Sequence, residues 1–479
     1  MERVRRRRYR CSRDAEGVTA RRPRPLPRQL SNHPFKGNVM QGFLGGRVRL
    51  HHGDCLDALR ALPDCSVDSV CCDPPYHLTS IVKRFGAEGA APAQHGTDGA
   101  FARASRGFMG KTWDGGDIAF RPETWAEILR VLKPGGHLAA FGGTRSYHRL
   151  ACAIEDAGFE IRDQIGWAYG TGFPKSHDVS KGIDRALGCE RETVREGASG
   201  AGSQTVSSLG NGLNVNFAPR PITAPSSEAA KEWAGWGTAL KPAWEPICLA
   251  RKPLSEGTVA ANVLAHGTGG INIDACRVET GDTTKRPAGR MTSAGIAGGS
   301  FASQEIGHRE IVMQSGGSPL GRWPANIIHD GSAEVVAAFP DSAGAATPVC
   351  GHEPSETGQN GIYGRYARVA SGPVRGDSGS AARFFYSAKA SKRDRAGSKH
   401  PTVKPVALMR WLTRMVTPPG GTILDPFAGT GTTAEAAYRE GFRCVLIERE
   451  AEYVADIERR LRALAVGGPD DEGEIEEAA

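Results

Sequence analysis

The sequence contains no run of 18 apolar residues free of charge, so no membrane-spanning helix and no membrane partner are predicted. It lacks an apolar segment after its charged start, which argues against a signal peptide, and it has no collagen or coiled-coil repeat. None of its eleven cysteines stands in a CxxC pair, so no metal site is predicted and reduced thiols are expected. With 479 residues, 39% of them hydrophobic, the chain can form one large core or two to three domains.

Charge is concentrated at both ends of the sequence. Residues 1–30 carry eleven arginines and three acids, and six acids follow within 470–477, whereas the whole chain has a net charge of +7. We therefore expect a disordered basic arm over 1–40, able to neutralise phosphates, and an acidic disordered tail over 467–479. A translation start at Met40 remains open as the alternative explanation of the arm.

Apolar runs typical of strands alternate with segments of helical spacing in two parts of the chain. Strands are predicted over 47–54, 67–72, 137–143, 159–169, 245–253, 421–425 and 442–448, and helices over 55–63, 124–133, 146–158, 404–416, 433–441 and 450–464. This alternation predicts an α/β fold with a doubly wound, mostly parallel sheet.

Two regions interrupt the alternation. Residues 185–240 include low-complexity sequence and are predicted to be mobile, and residues 254–382 are rich in glycine and predict an irregular inserted region. The α/β domain is therefore expected to be assembled from 41–253 and 383–466.

The tetrapeptide Asp73-Pro74-Pro75-Tyr76 directly follows a predicted buried strand. Ligands of open α/β sheets bind at the carboxyl ends of strands, and two prolines fix the backbone there. The Asp73 carboxylate and the Pro74 carbonyl could accept both N–H groups of an exocyclic amine, and Tyr76 offers a face on which an extruded base could stack. A purely structural Pro-Pro turn is the alternative.

A second motif, Asp425-Pro426-Phe427-Ala428-Gly429-Thr430-Gly431-Thr432-Thr433, also joins a strand to a helix. It is neither a phosphate-binding loop nor a dinucleotide fingerprint. Its glycines allow close backbone approach, and Glu448 ends the next strand, where an acid can bind the hydroxyls of a ribose. The motif therefore indicates a nucleoside cofactor without a pyrophosphate.

Together these motifs resemble those of S-adenosylmethionine-dependent DNA amino-methyltransferases that act on adenine N6 or cytosine N4. Their order, catalytic motif first and cofactor loop last, resembles the permuted β group. Two further segments match this family, Gly53-Asp54 and His400-Pro401-Thr402-Val403-Lys404-Pro405. The resemblance implies a Rossmann-like sheet with a catalytic half over 41–253, target recognition over 254–382 and a cofactor-binding half over 383–466.

The resemblance also implies the site residues. The catalytic residues would be Asp73, Pro74, Pro75 and Tyr76. The residues binding S-adenosylmethionine would be Asp54, near its adenine, Thr402 and Lys404, near its methionine end, and Asp425, Pro426, Phe427, Gly429, Gly431, Thr432 and Glu448.

Within this family, Asp at the first position of the catalytic motif favours adenine N6, whereas Ser is more usual for cytosine N4. Asp73 therefore favours adenine, with N4-cytosine and a catalytically silent DNA-binding relative as alternatives. No Pro-Cys dipeptide occurs, which excludes attack on cytosine C5. Double-stranded DNA is the expected partner in a cytoplasmic, nucleoid-associated enzyme; a homodimer and a cognate restriction endonuclease are left open.

Overall fold

The computed structural model describes residues 40–76, 117–170, 172, 176–195, 221–279, 320–341, 380–388, 391–398, 400 and 402–467, and four short strands between 289 and 365. The predicted basic arm, most of the acidic tail and much of the predicted insertion lie outside the described residues. The strands are β1 Gln41–Phe43, β2 Val48–His52, β3 Val67–Cys72, β4 Leu132–Phe141, β5 Glu160–Ala168, β6 Thr193–Arg195, β7 Ile222–Thr223, β8 Trp244–Arg251, β9 Gly289–Met291, β10 Ile311–Met313, β11 Ile327–His329, β12 Gln359–Asn360, β13 Gly364–Arg365, β14 Tyr386–Ser387, β15 Thr422–Asp425 and β16 Arg443–Glu448. The helices are α1 Cys55–Ala61, α2 Pro122–Val131, α3 Tyr147–Asp156, α4 Val179–Leu187, α5 Glu228–Glu232, α6 Val259–His266, α7 Ala333–Ala337, α8 Val406–Val416, α9 Thr432–Arg439 and α10 Ala451–Gly467.

One 10-stranded sheet organises the described residues, in the order β1-β2-β16-β15-β3-β4-β8-β5-β11-β14. Strands β2, β16, β15, β3 and β4 pair in parallel, and so do β5, β11 and β14. β8 lies antiparallel between β4 and β5, and β1 is antiparallel to β2. All the parallel strands therefore end at one edge of the sheet.

The central strands β3, β15 and β16 are buried over almost their whole length because both of their faces are covered. In β16, Cys444 and Leu446 face one core cluster, and Val445 and Ile447 face the other. Helices α8, α9 and α10 cover the first face and α1, α2 and α3 the second. This confirms the predicted doubly wound, mostly parallel α/β fold with a Rossmann-like arrangement.

The segment Lys133-Pro134-Gly135-Gly136 joins the predicted helix over 124–133 to the predicted strand over 137–143, and in the structure it is part of β4. Helix α2 ends at Val131 and β4 begins at once, with a register shift against β3. Gly135 has a φ of 77°, and its N–H donates to the Lys252 carbonyl at 3.1 Å. The segment is therefore held in the sheet by the chain that leaves β8, which local sequence does not show.

The described parts of 185–240 keep regular structure, against the prediction of a patternless segment. Helices α4 and α5 and the β6–β7 pair surround the fully buried Asp184, which forms an ion pair with Arg191 at 2.6 Å and accepts hydrogen bonds from Ser227. Residues 196–220 lie outside the described residues, so the mobility predicted for the segment stays a prediction.

Strands β11 and β14 extend the sheet next to β5, although β11 lies within the predicted insertion over 254–382. Helix α6, from the same stretch, packs against β4. The described part of this region is therefore attached to the main sheet, and the predicted domain boundaries stay predictions.

Among the described residues, no helix has the length and apolar character needed to cross a bilayer. The same residues contain no group of three or more His, Cys, Asp or Glu side chains placed to hold a metal ion.

Candidate active site

A cavity opens where β2, β3, β15 and β16 end, at the carboxyl edge of the sheet. Every site residue that the sequence predicts, with the exception of Gly431, lines this one cavity. The lining residues from that set are Asp54, Asp73, Pro74, Pro75, Tyr76, Thr402, Lys404, Asp425, Pro426, Phe427, Gly429, Thr432 and Glu448. The structure thus brings together two motifs separated by about 350 residues.

The Asp73 carboxylate is held from two sides. One oxygen accepts a hydrogen bond from the Tyr76 hydroxyl at 2.8 Å, and the other lies 2.9 Å from the ammonium of Lys404. Tyr76 is held in turn by Ser146, whose hydroxyl donates to the Tyr76 carbonyl at 3.1 Å, and its ring lies so close to Gly143 that a β-carbon there would be 3.3 Å away. Tyr76 therefore contacts Asp73 through its hydroxyl, and the stacking predicted for its ring face stays a prediction.

Lys404 is the cation of this cluster and is only 6% exposed. Its ammonium also lies 3.0 Å from the carboxylate of Glu245 and donates to the Tyr76 hydroxyl at 3.2 Å. Burial lowers the pKa of Lys404, but Asp73 and Glu245 outweigh it, so the net pKa is raised and the group stays charged. The ammonium is directed at the catalytic motif, and the predicted contact with the cofactor stays a prediction.

The glycine-containing turn after β15 is shaped by its own hydrogen bonds. Asp425 accepts from the Phe427 N–H at 3.0 Å and from the Thr433 hydroxyl at 2.5 Å. Gly431 has a φ of 77° and begins α9, and a β-carbon there would lie 3.1 Å from Ile457. Gly431 therefore supports the turn without lining the cavity, because its conformation and the close helix α10 leave room for glycine alone.

Glu448 ends β16 and faces the same turn. One of its oxygens accepts the Gly429 N–H at 2.8 Å, and the other accepts the Glu450 N–H at 2.9 Å. Burial raises the pKa of Glu448 to about 7, against these hydrogen bonds, which favour the charged form. A carboxylate can accept about four hydrogen bonds, so each oxygen can still accept from a ligand hydroxyl.

Asp54 and Thr402 border the cavity in supporting positions. The Asp54 side chain accepts from the Leu56 N–H at 2.9 Å and so caps the start of α1. The Thr402 N–H donates to the ring of His400 at 3.2 Å. Both residues line the cavity, as predicted, but these contacts are within the protein.

Three residues at or beside the cavity are missing from the predicted site residues, although one of them, His400, lies in a segment that matches the family. The ring of His400 lies edge-on to Tyr453, with centroids 4.5 Å apart, and its buried position lowers its pKa. Arg460, 2% exposed, donates to the Thr430 carbonyl at 2.9 Å and fixes the glycine turn. The third is Glu245, at the start of β8. A charged residue within the apolar stripe of 450–464 is a signal that could have found Arg460.

The lining matches the chemistry of a nucleoside cofactor. Apolar side chains that could cover a purine and a thioether stem, Ile118, Phe427 and Ile447, surround the acidic end of β16. The positive φ of Gly429, 53°, brings backbone close to the carboxylate of Glu448. A parallel sheet with a glycine turn and an acidic strand end at one cavity is the arrangement of proteins that bind nucleoside cofactors.

The chain matches the model of the N6/N4 family described as DNA methylase, over residues 67–459. It therefore belongs to that family, which confirms the resemblance drawn from the motifs. The methyl donor of this family is S-adenosylmethionine, which agrees with the predicted cofactor.

Two curated relatives are type II methyltransferases. M.HindIII of Haemophilus influenzae is 25% identical over 242 residues, which cover 47% of this chain and 64% of that protein. M2.DpnII of Streptococcus pneumoniae is 42% identical over 72 residues, 15% of this chain and 27% of that one. The chain thus matches less than two thirds of the length of either relative.

Solved structures with related chains include the PvuII DNA methyltransferase, which is cytosine-N4-specific, with 12% identity, 88% and 92% coverage of the two chains and a TM-score of 0.37. A DNA modification methylase from Thermus thermophilus has 15% identity, 88% and 96% coverage and a TM-score of 0.35. The fold is therefore assigned from the strand order of the sheet itself.

Proposed function

We propose that the chain transfers the methyl group of S-adenosylmethionine to the exocyclic N6 of an adenine in double-stranded DNA, at a specific sequence. The observation that carries the proposal is that Asp73 and the glycine turn with Glu448 face one cavity. An acceptor for an amino group and a place for a nucleoside cofactor thus lie side by side, which direct transfer between them requires.

When bound, S-adenosylmethionine supplies a methyl group on a positively charged sulfur. The amino nitrogen of the base would take up this methyl group directly, with the sulfur leaving as a neutral thioether and one nitrogen proton passing to solvent. Asp73 accepts a hydrogen bond from the amino group and so orients its lone pair, and a bond to a charged group is worth about 1.5–3 kcal/mol. Pro74 and Pro75 keep the chain rigid, and Phe427 covers the reacting centre from water.

The target base must leave the DNA stack to reach a carboxylate at the end of a buried strand. The Asp73 oxygen that accepts from the Tyr76 hydroxyl can accept a second hydrogen bond, from the amino group. The Tyr76 ring can stack on the base, a contact worth about 1–3 kcal/mol. Lys404 remains on the other Asp73 oxygen.

Adenine is preferred over cytosine N4 because the first residue of the motif is Asp73. The names of the two relatives support duplex DNA as substrate and a restriction endonuclease as partner, since both are type II methyltransferases. A homodimer and a position in the cytoplasm near the nucleoid stay predictions of the sequence.

Expression of the chain in a host without DNA methylation tests the proposal. We expect nucleoside mass spectrometry to detect N6-methyladenine, and single-molecule sequencing to place it at one short motif. The same host without the gene is the control. N4-methylcytosine would keep the mechanism and overturn the choice of base, and unmodified DNA with S-adenosylmethionine bound would leave a silent DNA-binding relative.

Cofactor binding is expected to release protons near pH 7. The pKa of Glu448 is raised to about 7 by burial, so about half of the free chains carry the proton at that pH. Donating ribose hydroxyls favour the carboxylate, so binding would expel up to about half a proton. Calorimetric titration in two buffers of different ionisation enthalpy measures this release, which Glu448→Gln should largely remove; equal heats in both buffers for the parent chain would contradict it.

A further inference from the structure

Glu245 lies at the active site because β8 is antiparallel to its neighbours β4 and β5. Its register partner in β5 is Trp167, the second-last residue of that strand, so the first residues of β8 lie at the edge where the parallel strands end. The Glu245 side chain is 15% exposed there. No motif includes this residue, and the five residues that follow it in β8 are apolar.

Lys404 and Glu245 form an ion pair at the centre of this cluster. The ammonium of Lys404 lies 3.0 Å from Glu245, 2.9 Å from Asp73 and 3.2 Å from the Tyr76 hydroxyl. The ammonium thus lies between two carboxylates and donates a hydrogen bond to the Tyr76 hydroxyl. The ring of Phe141, with its centroid 4.7 Å away, lies against the same group.

We propose that Glu245 is a positioning residue for methyl transfer: it anchors Lys404, which in turn keeps one oxygen of Asp73 fixed while the other receives the target amino group. The inference rests on the proposed function. A lysine side chain has four rotatable bonds, so one partner alone would let its ammonium follow Asp73. Glu245, held in a strand of the sheet, is the second fixed partner of Lys404.

Glu245 also sets the charge of this cluster. The titratable groups that face Lys404 are Asp73 and Tyr76 after β3, Glu245 in β8, Tyr169 after β5 and His400 in its own segment. Burial opposes the charge on Lys404 and the two carboxylates restore it. Without the charge of Glu245, burial is opposed by Asp73 alone, so Lys404 should lose its proton at a lower pH.

The test compares Glu245→Gln with a matched control, Glu160→Gln. Glu160 lies in the same β5–β8 pair at its opposite end, where it contacts Arg251 at 2.6 Å. For Glu245→Gln we expect kcat to fall about tenfold or more, because a small displacement of a reacting group is costly. The alkaline limb of the kcat profile should move to lower pH, whereas KM for S-adenosylmethionine should change less than about twofold.

Glu160→Gln should keep the parental profile. Glu245→Asp, which retains the charge with a shorter reach, should lower kcat and leave the alkaline limb in place; this variant also serves if Glu245→Gln fails to fold. If Glu245→Asp keeps the parental kcat, or if Glu245→Gln keeps the alkaline limb of the parental pH profile, the positioning role is wrong and the proposed function still stands. A parent chain that methylates no DNA overturns the proposed function and this role together.

Discussion

Asp73→Ala is expected to abolish methyl transfer, with kcat reduced by roughly a thousandfold, while S-adenosylmethionine still binds. The substitution removes the acceptor that orients the amino group. It does not touch the glycine turn or Glu448, which lie at the ends of β15 and β16 and keep their own hydrogen bonds. Single-turnover methylation of a DNA substrate and calorimetric binding of the cofactor measure the two effects separately.

The matched control is Asp64→Ala, since Asp64 is an exposed carboxylate in an ion pair with Arg130, outside the cavity. It should transfer methyl groups at the parental rate, because exposed pairs contribute at most about 1 kcal/mol. Asp73→Asn is informative as well, since it keeps the shape of the side chain and leaves Lys404 with Glu245. Parental activity in Asp73→Ala would show that the catalytic site lies elsewhere. Loss of cofactor binding in this variant would show that the two motifs are not separate in function.

Sequence reasoning succeeds where a residue's role follows from its place along one strand. β3 and β16 are short runs rich in β-prone residues without polar alternation, so their length and composition predict buried parallel strands. Asp73 and Glu448 follow or end such strands, and parallel strands end at one edge. The meeting of the two motifs in one cavity was therefore predictable from the sequence.

The position of a residue could not be predicted from the sequence where it depends on the order of the strands in the sheet. The strand over 245–253 was predicted, but its antiparallel placement between β4 and β5 was not, and that placement alone brings Glu245 to Lys404. The short strands β11 and β14 join the sheet through two or three pairs each, too few for a periodic pattern. The contact between Tyr76 and Asp73 depends on the rotamers of both side chains, and a sequence motif gives no information about rotamers.

Asp425, the acid that begins the cofactor turn, should contribute less to the stability of the ligand-free protein at neutral pH than in mild acid. Asp425 is 2% exposed, and burial raises its pKa to about 7, against the hydrogen bonds from Thr433 and Phe427. In the unfolded chain its pKa is near 3.8. Between these values the folded state binds more protons, so this group's contribution is complete below about pH 4 and is lost as pH rises to about 7. The loss amounts to about 4 kcal/mol.

Urea unfolding of the parent chain and of Asp425→Asn, at pH 5 and at pH 8, measures this contribution. The buried histidines His51, His137 and His400 have lowered pKa values and act in the opposite direction below about pH 6.5, but they are present in both proteins and cancel in the difference. We expect Asp425→Asn to gain about 2–3 kcal/mol of stability relative to the parent on going from pH 5 to pH 8, because this range covers about two units of the pKa shift. A difference independent of pH would show that Asp425 ionises normally. A pH-dependent difference would mean that the fold carries a destabilising acid at its cofactor turn, and such a cost is typical of residues that are retained for function.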